Sequence, residues 1–240
     1  MFLNDVLGFS VYGVDNRILM KTICNAIDTY EKTCITYVTA ANCIIYKRDL
    51  SYSVALRKFS IIHPDGIGIY LAQRFLYPDE RWNRMTGSDF YPILAEKAIE
   101  KQWSLFIFGD KKETLESIPK RYPKLKIAGM HSGFGFPDNL SEDISASKPD
   151  LVLVGLGVPM QEKWISDNWE RLPSAVYLAV GDGLKVLSGT KRRGGKFIQK
   201  AGLEWVVRLL SEPFRLWKRY LIWMPVFIIL VVLQKFQRKK

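Results

Sequence analysis

The 240-residue sequence is poor in the residues that announce several kinds of chemistry. It has three cysteines, Cys24, Cys34 and Cys43, with no CxxC pair, and two histidines, His63 and His131. These exclude a disulfide scaffold and any zinc site of familiar spacing, and read as ordinary buried thiols in a reducing compartment and structural imidazoles. No two aspartates stand two apart, so a DxD metal chelate is missing and no metal site is expected. The N-terminus, MFLNDVLGFSVYG, lacks the basic stretch and sustained apolar stretch of a secretory signal, which predicts a cytoplasmic chain. Internal repeats and low-complexity tracts are also absent.

What is present has the balance of a folded protein, 48% apolar and 25% charged, which separates it from disordered sequences. The length suits one substantial core with an appended segment. Its formal charge of +11 is unevenly placed: residues 191–240 hold thirteen Lys or Arg against two Glu, while the first 190 carry 22 of each sign. A neutral body with a basic, apolar end points to anionic lipid, where each Lys or Arg gains roughly 1 kcal/mol. A soluble charged tail is the plain alternative. Nucleic acid is not an expected partner, because arginine here alternates with large apolar residues.

Short β-rich runs alternate with helical patterns, the mark of an α/β, Rossmann-like domain with a largely parallel sheet and flanking helices. Strands are predicted at 35–40, 60–63, 103–108, 125–129, 151–155 and 175–180, and helices at 18–30, 67–75, 88–100, 112–121, 160–169 and 197–210. Residues 1–195 are read as this domain and 196–240 as a helical, membrane-associating appendage in which Pro213 starts a new helix. The unbroken apolar run 221–233 would make a helix of about 20 Å, short of the roughly 30 Å hydrocarbon core, so it dips into a membrane more easily than it crosses. A span reaching back to Leu216 is the alternative, interrupted by Lys218 and Arg219. Trp205, Trp217 and Trp223 suit a lipid–water interface, with core packing the rival for Trp205.

Open parallel sheets bind ligands beyond the carboxyl ends of their strands. Four turns stand there: TAAN at 39–42, PDGIG at 64–68, GLGVPMQE at 155–162 and GDG at 181–183. Asp65 in HPDGIG is placed to take a proton from an attacking hydroxyl, and Gly66 and Gly68 leave room and allow unusual backbone angles. The plain alternative is that Asp65 only caps the next helix. In GLGVPMQEKWI, Gly155 and Gly157 form a turn bordering a substrate, the helix start after Pro159 is an anion site, and Gln161 is set to hydrogen-bond a base or sugar. A dinucleotide oxidoreductase is the rival reading, but Met160 stands where GxGxxG needs its third glycine.

In order and spacing, HPDGIG, RMTGSDF at 84–90, GLGVPMQEKWI and GLEWVVRLLSEPFRLWKRYL resemble the WecG/TagA/CpsF glycosyltransferases, over residues 10–222. The resemblance implies an inverting transferase of bacterial surface-polysaccharide synthesis. Its donor would be a nucleotide-sugar, usually UDP-linked, and its acceptor a polyprenyl-diphosphate-linked saccharide. It also implies that no metal or other cofactor is used, and that an appendage docks at the cytoplasmic face of the inner membrane and completes the site. By the same resemblance Asp65 is the base and Thr39 shares its pocket, while Arg84, Gln161, Arg208, Arg215 and Arg219 lie near substrate phosphates or donor. Without DxD, charge on the departing diphosphate falls to such arginines and to helix amides. For Arg208, Arg215 and Arg219, a solvated or lipid-facing stripe is the alternative.

Two departures stand out. The family has T-x-N where this chain has Thr39-Ala-Ala-Asn42, which shifts Asn42 by one residue. Where the family has GVG, then FD, then RAP, this chain has GDGLKVLSG and Arg193-Gly194-Gly195. Lys185 takes the place of the missing aspartate, and its charge would favour a sugar bearing a carboxylate. Altered or lost activity would leave a non-catalytic membrane scaffold, the second reading. Oligomerisation stays open.

Overall fold

Runs such as LVLVG, apolar at every position, suit strands covered on both faces. In the computed structural model, which describes residues 3–80, 82–191 and 204–238, such runs form a six-stranded parallel sheet. A hairpin opens the chain, β1 (Leu3–Val6) and β2 (Phe9–Tyr12), turning at Leu7 and Gly8, both at positive φ. Then follow α1 (Asn16–Asp28), β3 (Thr33–Val38), α2 (Ala40–Arg48), α3 (Leu50–Ala55), β4 (Ile61–Pro64), α4 (Ile67–Leu76) and α5 (Gly87–Lys101). The second half runs β5 (Ser104–Gly109), α6 (Lys112–Arg121), β6 (Lys126–His131), α7 (Leu140–Ser147), β7 (Leu151–Gly155), α8 (Met160–Asn168), β8 (Val176–Ala179) and α9 (Gly183–Ser188).

The strand order is β4-β3-β8-β7-β5-β6, every neighbouring pair parallel. Every carboxyl end therefore lies on one edge. The chain leaves β5 outward to β6 but leaves β7 inward to β8, so the winding reverses between β5 and β7 and opens a crevice there. Alternate residues of each strand feed two cores. Along β7, Val152 and Val154 face the layer of α2, α3, α4 and α8, whereas Leu151 and Leu153 face that of α1, α5, α6 and α9. β4, an edge strand, is covered by β2. Of the thiols, Cys34 and Cys43 are buried and Cys24 is half-buried; burial pushes Cys34 up to about 12 and Cys43 above the ordinary range.

The predicted first strand ran to residue 40, but it ends at Val38. Thr39 caps a helix there, its hydroxyl accepting from the Asn42 amide, so TAAN is a helical first turn and not a loop. The α2–α3 pair, α7, α9 and the N-terminal hairpin are additions to the predicted elements.

Beyond the body come α10 (Glu204–Ser211), α11 (Pro213–Trp217), a π-helical turn (Lys218–Trp223) and α12 (Met224–Gln237). Pro213 does start a helix. Residues 192–203 lie outside the described part, and with them Arg193-Gly194-Gly195, the expected boundary at 195/196 and the first half of the predicted helix 197–210. The Arg208 and Arg215 side chains also lie outside it. The stretch Lys218–Gln237 is long and apolar enough to cross a membrane by length and composition. Yet both of its ends are fastened to one body. Arg219 donates to Thr39 at the start; Gln234 accepts from the Leu7 amide and donates to the Asp5 carbonyl at the end, where Lys235 donates to the Leu76 carbonyl. Between them Phe227 and Val231 are buried against the sheet's α4 side.

Candidate active site

The chemistry-bearing side chains gather at the carboxyl ends of β3 and β4. β4 runs straight into the Pro64-Asp65-Gly66 turn, and the Asp65 amide donates to the Val38 carbonyl at 2.9 Å, continuing the ladder past the strand. Gly66 adopts φ +83, a left-handed conformation that side chains rarely tolerate, and this turns the chain into α4. Gly68 serves a different purpose: a Cβ there would sit 3.2 Å from the Ala40 Cβ, so glycine lets α4 press on the start of α2.

Asp65 does not cap α4, whose start has no side-chain cap. Its Oδ1 accepts from the Gly87 amide at 2.9 Å, the first residue of α5, so the carboxylate is held by a different helix start. Next to it the Gly66 amide donates to the Met85 carbonyl, tying the RMTGSDF segment to the turn. Thr39 is bound on three sides: its hydroxyl donates to Asn42 Oδ1 at 2.6 Å and accepts from the Asn42 amide and from Arg219 Nη2 at 3.1 Å. Arg219 thus comes from the appendage, 180 positions along the chain, to touch the end of β3.

Asp65, Thr39, Gly66, Arg84 and Arg219 line one cavity of about 530 Å³. Thr86, Ser88 and Trp205 complete its polar end, and Trp205 packs on Tyr220 with ring centroids 5.6 Å apart, so this tryptophan borders the cavity and is not a core residue. The other end is apolar, between α4 and α12. Here are a carboxylate held by a backbone amide, two guanidinium side chains and an apolar wall in one chamber. Among the described residues, no group of three or more His, Cys, Asp or Glu is placed to hold a metal ion.

Comparison with known proteins bears on that arrangement. The model of the WecG/TagA/CpsF glycosyl transferase family matches residues 4–240. A Bacillus subtilis strain 168 protein named N-acetylglucosaminyldiphosphoundecaprenol N-acetyl-beta-D-mannosaminyltransferase is 33% identical over 198 residues, covering 80% of this chain and 76% of its own. A Bacillus spizizenii strain W23 protein of the same name is 34% identical over 175 residues, covering 71% and 67%. The chain belongs to the WecG/TagA/CpsF glycosyltransferase family.

This glycosyltransferase keeps a second, glycine-lined mouth at the ends of β5, β7 and β8, with Gly155, Gly157 and Lys185. Gly157 is at φ +80 with open space where a Cβ would be. Gly155 is packed instead, a Cβ falling 2.5 Å from Leu184. Lys185 is no lone cation: its Nζ is 3.9 Å from both Asp110 Oδ2 and Asp182 Oδ1. Two carboxylates already balance its charge, which removes the reason for expecting an acidic sugar.

Gln161 and Asn42 were expected to touch substrate, but both are buried and neither lines the cavity. Asn42 spends its Nδ2 on the Tyr37 carbonyl and its Oδ1 on Thr39, so it positions Thr39. Gln161 accepts from the Gly181 amide at 2.9 Å and donates to Glu162, pinning the GDG turn. Gly181 itself is required, since a Cβ would fall 2.3 Å from the Tyr37 hydroxyl.

Glu162, next to Gln161 in the same motif, is the residue the sequence reading passed over. It is fully buried under the site, its Oε1 accepting from Thr36 at 2.7 Å and Gln161 at 2.8 Å, while Oε2 is buried with no hydrogen-bond partner. Burial pushes its carboxyl up to about 7. His63, one residue before Pro64, is buried with Nδ1 against the Pro64 carbonyl, and burial lowers its pKa.

Proposed function

We propose that the chain moves a sugar from a nucleotide-sugar, UDP-linked, to a polyprenyl-diphosphate-linked saccharide by a single inverting displacement at the cytoplasmic face of the plasma membrane. The observation that carries this reading is the meeting of Asp65, Thr39, Arg84 and Arg219 in one cavity. A carboxylate beside a chamber is what a transferred hydroxyl proton needs. The acceptor hydroxyl attacks the anomeric carbon, its proton passes to Asp65, and the bond to the nucleoside diphosphate breaks on the opposite side. The Gly87 amide holds one carboxylate oxygen, which fixes the base without consuming the other. Arg84 and Arg219 meet the diphosphate charge that grows as the bond breaks. Arg208 and Arg215 are proposed as further cations from the same appendage.

The donor is assigned to the crevice between β5 and β7, where open sheets take nucleotides, with Gly155 and Gly157 at its border and Lys185, in its carboxylate pair, at the rim. No metal is required, on the ground that the sequence lacks a DxD pair. The relatives' names specify a diphosphoundecaprenol acceptor, and this supports the polyprenyl assignment here.

Membrane contact is assigned to the outer face of the appendage, where Phe214, Leu221, Ile229, Leu233 and Phe236 are all exposed. Since both ends of Lys218–Gln237 are tied to the same body, the helix lies in the interface and does not cross. The test is transfer itself: the protein, a panel of UDP-sugars and a short-chain sugar-diphosphate-prenol, in chelator, with product and anomeric configuration read by mass spectrometry and NMR. Hydrolysis and transfer both absent from the whole panel would leave the scaffold reading.

A further inference from the structure

The cavity has a shape that the transfer reaction alone does not call for. From its polar end it continues as a lane between α4 and α12, which run side by side in the same direction: Gly68 lies against Met224 near the site, and Lys235 donates to the Leu76 carbonyl at the far end. One wall carries Leu71 and Phe75, one helical turn apart; the other carries Ile228 and Val232, also one turn apart. Buried Phe227 and Val231 form its floor. Leu71, Phe75 and Ile228 remain about half exposed, at 53%, 46% and 54%, which is costly for three large apolar side chains facing each other across an open groove.

Resting on the glycosyltransferase reading of the same site, we propose that this lane is a binding site for the first isoprene units of the acceptor, with its sugar at Asp65 and its diphosphate at the polar end, where Arg84 and Arg219 serve it as well as the departing diphosphate. Charge and polarity order the ligand. The guanidinium side chains and the carboxylate stand only at the end where α4 begins, and the walls beyond are hydrocarbon. A molecule that is sugar, then diphosphate, then branched hydrocarbon matches that sequence of surfaces. Length sets how much is held. The lining residues run from Ile67 to Phe75 and from Met224 to Val232, eight helical steps on each helix, about 12 Å. An isoprene unit has four backbone bonds and extends about 5 Å at the roughly 1.2 Å per bond of an extended chain, so the lane takes two to three units. Beyond Phe75 and Val232 the chain passes to the surface next to Ile229 and Leu233, which is the face assigned to lipid.

The lane is tested by binding without catalysis. Dimethylallyl, geranyl, farnesyl and geranylgeranyl diphosphates are titrated by calorimetry into the full-length protein below their critical micelle concentrations, with inorganic diphosphate and farnesol as references. Each buried CH2 is worth a factor of about four, so affinity is expected to rise at least about tenfold from the C5 to the C10 compound. It then levels off between C15 and C20. Leu71→Trp fills the lane and Ile228→Ser opens its other wall; each is expected to erase most of the C5 to C10 gain. A flat series, a rise that continues unbroken to C20, farnesol binding as tightly as farnesyl diphosphate, or an undiminished gain in both variants overturns the proposal. The failures are separable. Transfer to a short-chain acceptor with a flat binding series removes the lane and keeps the activity; a rising, levelling series without transfer to any sugar acceptor keeps the lane and removes the activity.

Discussion

The two crevices at the carboxyl edge of the sheet are built by opposite means. At β5, β7 and β8 every group comes from the sheet body: two glycine turns shape the mouth, and its charges are paired, Lys185 lying between Asp110 and Asp182. At β3 and β4 the chamber is assembled from distant parts, with Asp65 held by α5 and Arg219 brought in from the appendage. A self-contained mouth suits a part of the substrate that is the same in every turnover. A composite chamber with two guanidinium groups beside a carboxylate suits the place where charge changes during the reaction.

The sharpest way to break that contrast is at Asp65. Asp65→Asn keeps an oxygen to accept from Gly87, so it is expected to fold and bind donor normally while turnover falls by roughly 10² to 10⁴. Turnover within a few-fold of wild type, measured by product formation at saturating substrates, would take Asp65 out of the chemistry. Arg219→Ala is next. It removes both a cation and the bond to Thr39, and kcat is expected to drop about 10- to 100-fold, with vesicle flotation nearly unchanged because one arginine adds only about 1 kcal/mol of lipid attraction.

A third experiment probes the buried support that both crevices share. Glu162 has a folded pKa raised to about 7 against an unfolded value near 4.5. Between those values the unfolded chain loses its proton first, so the contribution of Glu162 to stability is full below about pH 4.5 and is lost as pH rises through 7. Glu162→Gln mimics the protonated form and is expected to flatten that decline. Wild type and variant melting curves from pH 5 to 8 should separate by several degrees at the alkaline end; parallel curves would show that Glu162 is not the group that titrates. Smallest of all is Lys185→Ala. Its pairs are long and partly exposed, so stability should change by less than about 1 kcal/mol, with a modest rise in donor KM and little change in kcat. A hundredfold loss of kcat would erase the distinction between the mouths.

How much of this was legible beforehand follows from the kind of signal each feature leaves. The central strands of the main sheet were readable because burial on both faces demands unbroken apolar runs such as LVLVG and SLFIFG, whereas the edge strand β6, KIAGMH, is half exposed and leaves a weaker signal. The hairpin was not, since its two four-residue strands alternate burial and its turn puts Leu7, not a glycine pair, at positive φ. Thr39-Ala-Ala-Asn42 looks like a loop when the threonine is counted as strand; counted as a cap, it starts α2. Asp65, Thr39, Arg84 and Arg219 were named from motif resemblance, and the cavity gathers all four. Gln161 and Asn42 belong to the same motifs, but whether a polar side chain faces ligand or is spent inside depends on backbone partners that the motif does not display, here the Gly181 amide and the Tyr37 carbonyl. The signal for Glu162 was present: a carboxylate one residue after Gln161, in the first turn of a helix that follows a wholly buried strand.

Arg219 and the wall of α12 come 154 or more positions after Asp65 in the chain. During synthesis the body can fold domain-first, yet the chamber lacks its α12 wall until the appendage has followed it. A body without its appendage therefore has Asp65 and Arg84 but neither Arg219 nor the second wall. Competence would then arrive together with the surface proposed to meet lipid.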